Sequence, residues 1–181
     1  MDRTTLAGSD ANGQHRAMAG WDELERLRPD LPAAGRLLLY QFGVGLAFLA
    51  TTDPSGAPRV HPVCPVLHAG GLYALLVPSP KREDLRRDGR FALHSFPCED
   101  DEDAVYLTGL ARPEADPVVA AEVRAAYLAE RGMSEPPAGF DRHEVFGFDV
   151  ERCMHTQTSG HGDPEPRHTV WRADADGGDR G

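Results

Sequence analysis

Ser79, Pro80, Lys81 and Arg82 put a hydroxyl, a helix-starting proline and two cations at one point of the chain. Ser79 suits an N-cap and Pro80 the first helical position, so the spacing predicts a helix from Pro80 to about Asp88. The free first-turn N–H groups of such a helix converge with the Ser79 hydroxyl. A helix N-terminus carries partial positive charge, which makes a lysine and an arginine there locally unfavourable. An anion such as phosphate resolves the conflict, because N–H groups, hydroxyl, ammonium and guanidinium all favour it. The competing reading is that both cations face solvent and are neutralised by Glu83 and Asp84. Lys81 is also the sole lysine in a chain with 18 arginines. Against so strong an arginine bias, a compact ammonium suits a point contact to phosphate.

The other chemical constellations are weaker. Cys153, His155, His161 and His168 fall in one region, but His161 and His168 are seven apart in a polar stretch and lack the close-set pairing of a zinc site, so no metal is expected. Glu99-Asp100-Asp101-Glu102-Asp103 lacks the glycine turn of a calcium loop and reads as a solvated connection. Gly43-Val44-Gly45 lacks the third glycine and the following helix of a dinucleotide site. Arg86, Arg87 and Arg90 fit a surface role, with Arg86 or Arg87 available to attract an anion. The net charge of −10 excludes a surface that coats nucleic acid. No apolar run is long enough to span a bilayer as a helix; Val44 to Ala50 is only strand-sized. Three widely spaced cysteines and an opening segment without an apolar stretch point to a reduced cytoplasm.

These residues must be positioned by a single domain, expected over 21–172, between disordered tails at 1–20 and 173–181. Trp21, Leu24 and Leu27 mark a short amphipathic helix closed by Pro29, and a second helix is expected from Pro32 to about Phe42. Strand-like segments follow: VGLAFLATT, a type I turn at Asp53-Pro54-Ser55-Gly56, APRVHPVCPVLH, a tight turn at Ala69-Gly70-Gly71, and LYALLV. Read in order, they make a three-stranded meander. Pro58, Pro62 and Pro65 place the middle strand at an edge, at a bulge, or beside something other than a strand. After the Pro80 helix come strands RFALHSF and AVYLTGLARP. A helix from Asp116 to Arg131 is signposted by its Asp N-cap, Pro117, the Val119, Val123 and Tyr127 repeat, and Gly132. Then follow EVFGFDV as a strand, CMHTQT as a polar loop, and a last strand ending at HTVWR, with Trp171 in the core. Six to eight strands with inserted helices indicate an α+β barrel-like domain.

The order FLATTDPSGAPRVHPV, a second hairpin, SPKREDLRRDGRFAL, a strand with Thr-Gly-Leu-Ala, and a closing VWR resembles the pyridoxamine 5′-phosphate oxidase-like split β-barrel family, over about residues 43–172. The resemblance implies an antiparallel split barrel that binds FMN, or a deazaflavin of the F420 type, in a groove between the subunits of a homodimer. It implies that the strand holding Arg59, Val60, His61, Pro62 and Val63 lies along the ring, and that Arg59, Ser79 and Lys81, with Arg82 as a further candidate, hold phosphate. His94 to Phe96 would contact the ring or the other subunit, and His61 would be a polar neighbour of the ring or a proton donor. The implied activity is hydride transfer between cofactor and a small substrate. The alternatives are a barrel that binds flavin, F420 or haem without turnover, and a ligand-free scaffold. The Arg-x-His-like segment that marks vitamin B6 oxidation is not matched by Arg167-His168-Thr169.

Overall fold

A computed structural model describes residues 18–173 and, as backbone alone, two short strands that pair antiparallel, β1 (Gly8–Ser9) and β2 (His15–Arg16). The remaining residues of the expected tails lie outside the described residues. Met18 and Ala19 are already buried in the fold. Helices α1 (Trp21–Leu27) and α2 (Asp30–Leu39) follow, with Trp21, Leu24, Leu31 and Leu39 turned into the core. The remaining elements are β3 (Ala47–Thr52), β4 (Pro58–Val63), β5 (Pro65–His68), β6 (Gly71–Leu76), α3 (Pro80–Arg87), β7 (Arg90–Ser95), β8 (Ala104–Pro113), α4 (Pro117–Glu130), β9 (Glu144–Gln157) and β10 (Arg167–Arg172).

The last eight strands form one antiparallel sheet in the order β4-β3-β7-β8-β9-β6-β5, with β10 also on β9. Among the described residues no helix is long and apolar enough to cross a membrane. The expected meander is not formed: the middle segment bends at Cys64, so that β4 pairs with β3 and β5 pairs with β6. The two halves of one segment thus become the two edges of the sheet, and the chain between them closes the barrel. The prolines explain the bend. Pro62 and Pro65 flank Cys64 and offer no N–H to a ladder. A Cβ on Gly45 would lie 1.9 Å from the Pro65 carbonyl oxygen, so only glycine lets the incoming chain pass the bend.

A second correction concerns CMHTQT, which as far as Gln157 is strand and not loop. Strand β9 runs on to Gln157 because its second half is paired on both sides, by β8 and by β10. On its β10 side, β9 is covered first by β6 as far as Gly147 and then by β10 from Arg152. Ala19 fills the gap between them, exchanging backbone hydrogen bonds with Val150 at 2.9 and 2.8 Å. Alternation along each strand sends Ala47, Leu49, Leu93, Val105, Leu107 and Val150 into the core beneath α1, α2 and α3. Trp171 is buried there too, as expected. Helix α4 ends where the sequence indicates, with the Asp116 carboxylate accepting from the Val118 N–H at 2.8 Å and Gly132 at φ +62°. It packs Val119, Val123 and Tyr127 against β5 and β9 in a second apolar cluster.

Candidate functional site

The turn at Asp53 to Gly56 sets the register of β3 and β4. The Asp53 carboxylate accepts from the N–H groups of Ser55 and Ala57, at 2.8 and 3.0 Å, and Gly56 takes φ +91°. Beyond it, Arg59, His61 and Val63 turn inward, while Pro58, Val60 and Pro62 face out; Val60 is 64% exposed. The Pro62 carbonyl is taken by the Lys81 ammonium at 2.8 Å, so it points away from β3. Backbone groups alternate in direction along a strand, so the N–H and C=O of Val60 point to the same open edge. Pro58 and Pro62 have no N–H, which leaves Val60 as the one backbone donor on the outward-facing positions of β4.

Lys81 and Asp84 stand three apart on α3 and share the face turned to β4. They do opposite things there. Asp84 is buried, and its carboxylate accepts from the Thr51 hydroxyl at 3.0 Å, the Arg59 guanidinium at 3.1 Å and the Arg87 guanidinium at 3.1 Å. Asp53 lies 3.5 Å from the other nitrogen of Arg59. Lys81 has no carboxylate partner among the described residues. Partial burial pulls its ammonium below the usual lysine range, and the Cys64 sulfur acts weakly in the opposite sense.

The predicted site residues therefore divide. Lys81 stands at the start of α3 on the open edge of β4. Ser79 is the N-cap residue with extended backbone, but its hydroxyl donates to the Val77 carbonyl at 2.9 Å instead of capping the helix. The first turn of α3 is also poorer in free donors than expected: Pro80 has none, and the N–H groups of Arg82 and Glu83 bond to the Ser79 carbonyl. The Lys81 N–H is what remains. Arg59 is held by two carboxylates and keeps part of its five-donor fork free. Arg82 turns away, to Glu83 at 3.1 Å and to the Arg142 carbonyl at 3.4 Å. The neutralisation expected from Glu83 and Asp84 thus reaches Arg82, Arg59 and Arg87, and not Lys81. His61 has a buried Nε2 without a hydrogen-bond partner. No cluster of three metal-ligating side chains exists among the described residues, and the Cys153 thiol is pushed up to about 12 by burial.

Sequence reasoning missed two residues. Asp84 looked like a surface acid; its spacing of three from both Lys81 and Arg87 was the available signal. Tyr40 fell near the end of the helix expected from Pro32 to about Phe42. Its hydroxyl accepts from the Leu67 N–H at 2.9 Å and donates to Glu130 at 2.9 Å, which closes the free edge of β5.

No protein-family model and no curated protein matches the chain by sequence. Solved structures do match by shape. A haem-binding protein from Mycobacterium smegmatis superposes with a TM-score of 0.60 at 20% identity, over 78% of this chain and 58% of that one. This chain therefore spans less than two thirds of that protein's length. The fold is that of the pyridoxamine 5′-phosphate oxidase-like split barrels. A NimC/NimA family protein from Clostridium acetobutylicum matches with a TM-score of 0.56 at 18% identity, over 82% of this chain and 97% of that one. A protein from the same organism, related to general stress protein 26 and of the pyridoxinephosphate oxidase family, matches at 0.55 and 14%, over 78% and 97%. At these identities the likeness establishes the split barrel and nothing finer.

Proposed function

We propose that this split barrel binds FMN, or a deazaflavin of the F420 type, and works as an oxidoreductase on a small substrate. The observation that carries this reading is Lys81: the chain's single lysine, partly desolvated and without a carboxylate partner among the described residues, at the start of a helix and on the open edge of a strand. A phosphate there supplies the missing negative charge. The donor set fits a phosphate group, with the Lys81 ammonium and N–H, the Ser79 hydroxyl after rotation, and the free part of the Arg59 fork. Arg82 is not part of that set. The Val60 N–H suits a carbonyl on the edge of a ring, and the outward faces of Val60 and Pro62 offer it apolar contact. A bound flavin or deazaflavin supplies the hydride chemistry, so no side chain of this protein is asked to act as a nucleophile.

The exposed Val60 and Pro62 beside the half-exposed Phe48 favour a homodimer that covers this edge and completes the site. Three free cysteines are consistent with a cytoplasmic setting. The absorbance spectrum of the purified protein, with chromatography of what denaturation releases, tests the cofactor class. Reduction of the bound cofactor by NAD(P)H followed by substrate turnover supports the enzyme; binding without turnover supports a carrier, and colourless protein that takes up no flavin rejects both. A second reading, a haem-binding barrel, is favoured by the matched mycobacterial haem-binding protein and by an exposed imidazole, His94, on the outer face of the sheet.

A further inference from the structure

The outer face of the sheet has an ordered composition, of which the site above uses only the β4 edge and Phe48. Strand register puts Pro62, Phe48, His94, Tyr106, Met154 and Val170 in one row across six strands. The next row reads Val60, Ala50, Ala92, Thr108, Arg152 and Arg172. The first row is apolar and aromatic around a single imidazole. The second is a floor of small side chains that ends in two guanidinium groups.

We propose that His94 is an axial iron ligand for a metalloporphyrin lying parallel to this face, with Arg152 receiving a propionate. The inference deepens the haem reading and rests on it. Nδ1 of His94 lies 2.7 Å from the Ser95 carbonyl oxygen. A carbonyl only accepts, so Nδ1 carries the proton and Nε2 of the neutral ring presents its lone pair. This is the arrangement in which a ligating histidine has its tautomer and ring orientation fixed by a backbone acceptor. His94 is exposed, so Nε2 is open to a ligand from solvent. Phe48 and Tyr106 flank it on the neighbouring strands, and the Tyr106 ring stands 6.5 Å from the imidazole. Phe48 stacks on Phe96, with ring centres 4.3 Å apart.

Arg152 provides the second observation. It has no carboxylate partner among the described residues; its Nε is buried with no acceptor, and its guanidinium sits 5.9 Å from the Tyr106 ring centre. It lies two strands from His94 and one row over, about 12 Å away at ordinary strand and residue spacing. A porphyrin propionate and the Arg152 side chain together span that separation. Ala92 and Thr108 between them leave room for the macrocycle. The haem would be bound by one protomer on its proximal side, with the distal side free for solvent or a second subunit.

The test is titration of the full chain with ferric haem, followed in the Soret region, with iron-free protoporphyrin IX as comparison. A Soret shift on binding, tighter binding of haem than of protoporphyrin, and loss of both in His94→Ala with at least a tenfold fall in affinity are expected. Added imidazole should restore the shift to His94→Ala, which separates a lost ligand from a damaged fold. Arg152→Ala should weaken affinity severalfold and leave the Soret position unchanged. Failure of the wild-type protein to bind haem overturns the haem reading and this inference together. Haem binding that survives in His94→Ala with an unshifted spectrum, or equal affinity for protoporphyrin, overturns the ligand assignment alone.

Discussion

Strands β4 and β5 are two halves of one bent segment, and each is an edge of the same sheet, yet the protein finishes them differently. The β5 edge is closed by a neutral group. Tyr40 takes the Leu67 N–H and is held by Glu130 from α4, whose Val119 and Val123 pack over the strand. Burial, with Glu130 adding to it, pushes that phenol up to about 12. The β4 edge is met by a charged group. Lys81 takes the Pro62 carbonyl, burial pulls its ammonium down, and no helix covers the outward side chains of Val60 and Pro62. An edge capped by a neutral hydroxyl is complete. An edge capped by a partly desolvated cation still lacks a counter-charge among the described residues, and the proposed anionic ligand and second subunit would act there.

Substitutions should separate the framework from the open edge. The largest effect is expected from Asp84→Ala, which leaves Arg59, Arg87 and Thr51 without their shared acceptor. Destabilisation of about 3 kcal/mol is expected, the low end for breaking a buried pair because the arginines are partly exposed; the midpoint of urea unfolding measures it. Lys81→Ala should weaken FMN or F420 binding about ten- to a hundredfold, the worth of a charge-assisted hydrogen bond, with the urea midpoint moving much less. An unchanged affinity in that titration would reduce Lys81 to a second edge cap like Tyr40. Tyr40→Phe should do the reverse. It costs about 1 kcal/mol in unfolding experiments, through the lost bond to the Leu67 N–H, and leaves cofactor affinity unchanged.

Two smaller effects depend on pH. Lys81 titrates below the ordinary lysine range, so cofactor affinity should begin to fall, as pH rises, before an exposed lysine would lose its proton. Lys81→Arg should remove that limb, because a guanidinium does not titrate there. The Tyr40 phenol stays protonated in the fold up to about 12, whereas in the unfolded chain it ionises near its ordinary value of 10.0. Its contribution to stability is therefore whole below pH 10 and lost as pH rises through about 12. Tyr40→Phe should flatten that part of the stability curve.

Local signals carried much of the fold. The Asp53 turn, the α4 caps and the alternation in β3 and β8 are contests between neighbouring residues, and their outcome is visible in the order of side chains. The prolines of β4 limited that segment to an edge, a bulge or a neighbour other than a strand for the same reason, since a missing N–H is missing wherever the strand lies. The extent of β9 could not be read in this way. CMHTQT is polar, and as far as Gln157 it is a strand because β8 and β10 flank it. The bend at Cys64, which turns one strand into two edges, depends on Gly45 approaching the Pro65 carbonyl across the fold.

At the site the division is similar. Composition and spacing were enough to single out Lys81 and to put a hydroxyl and a helix start beside it. Which cations remain free was decided in three dimensions. Arg59, Arg82 and Lys81 look alike as charges in the sequence, but Asp84, Asp53, Glu83 and Glu144 reach only the first two. Charge pairing acts over a few ångströms between side chains brought together from separate elements, so only the packing of α3 against β4 could leave the lysine without a carboxylate.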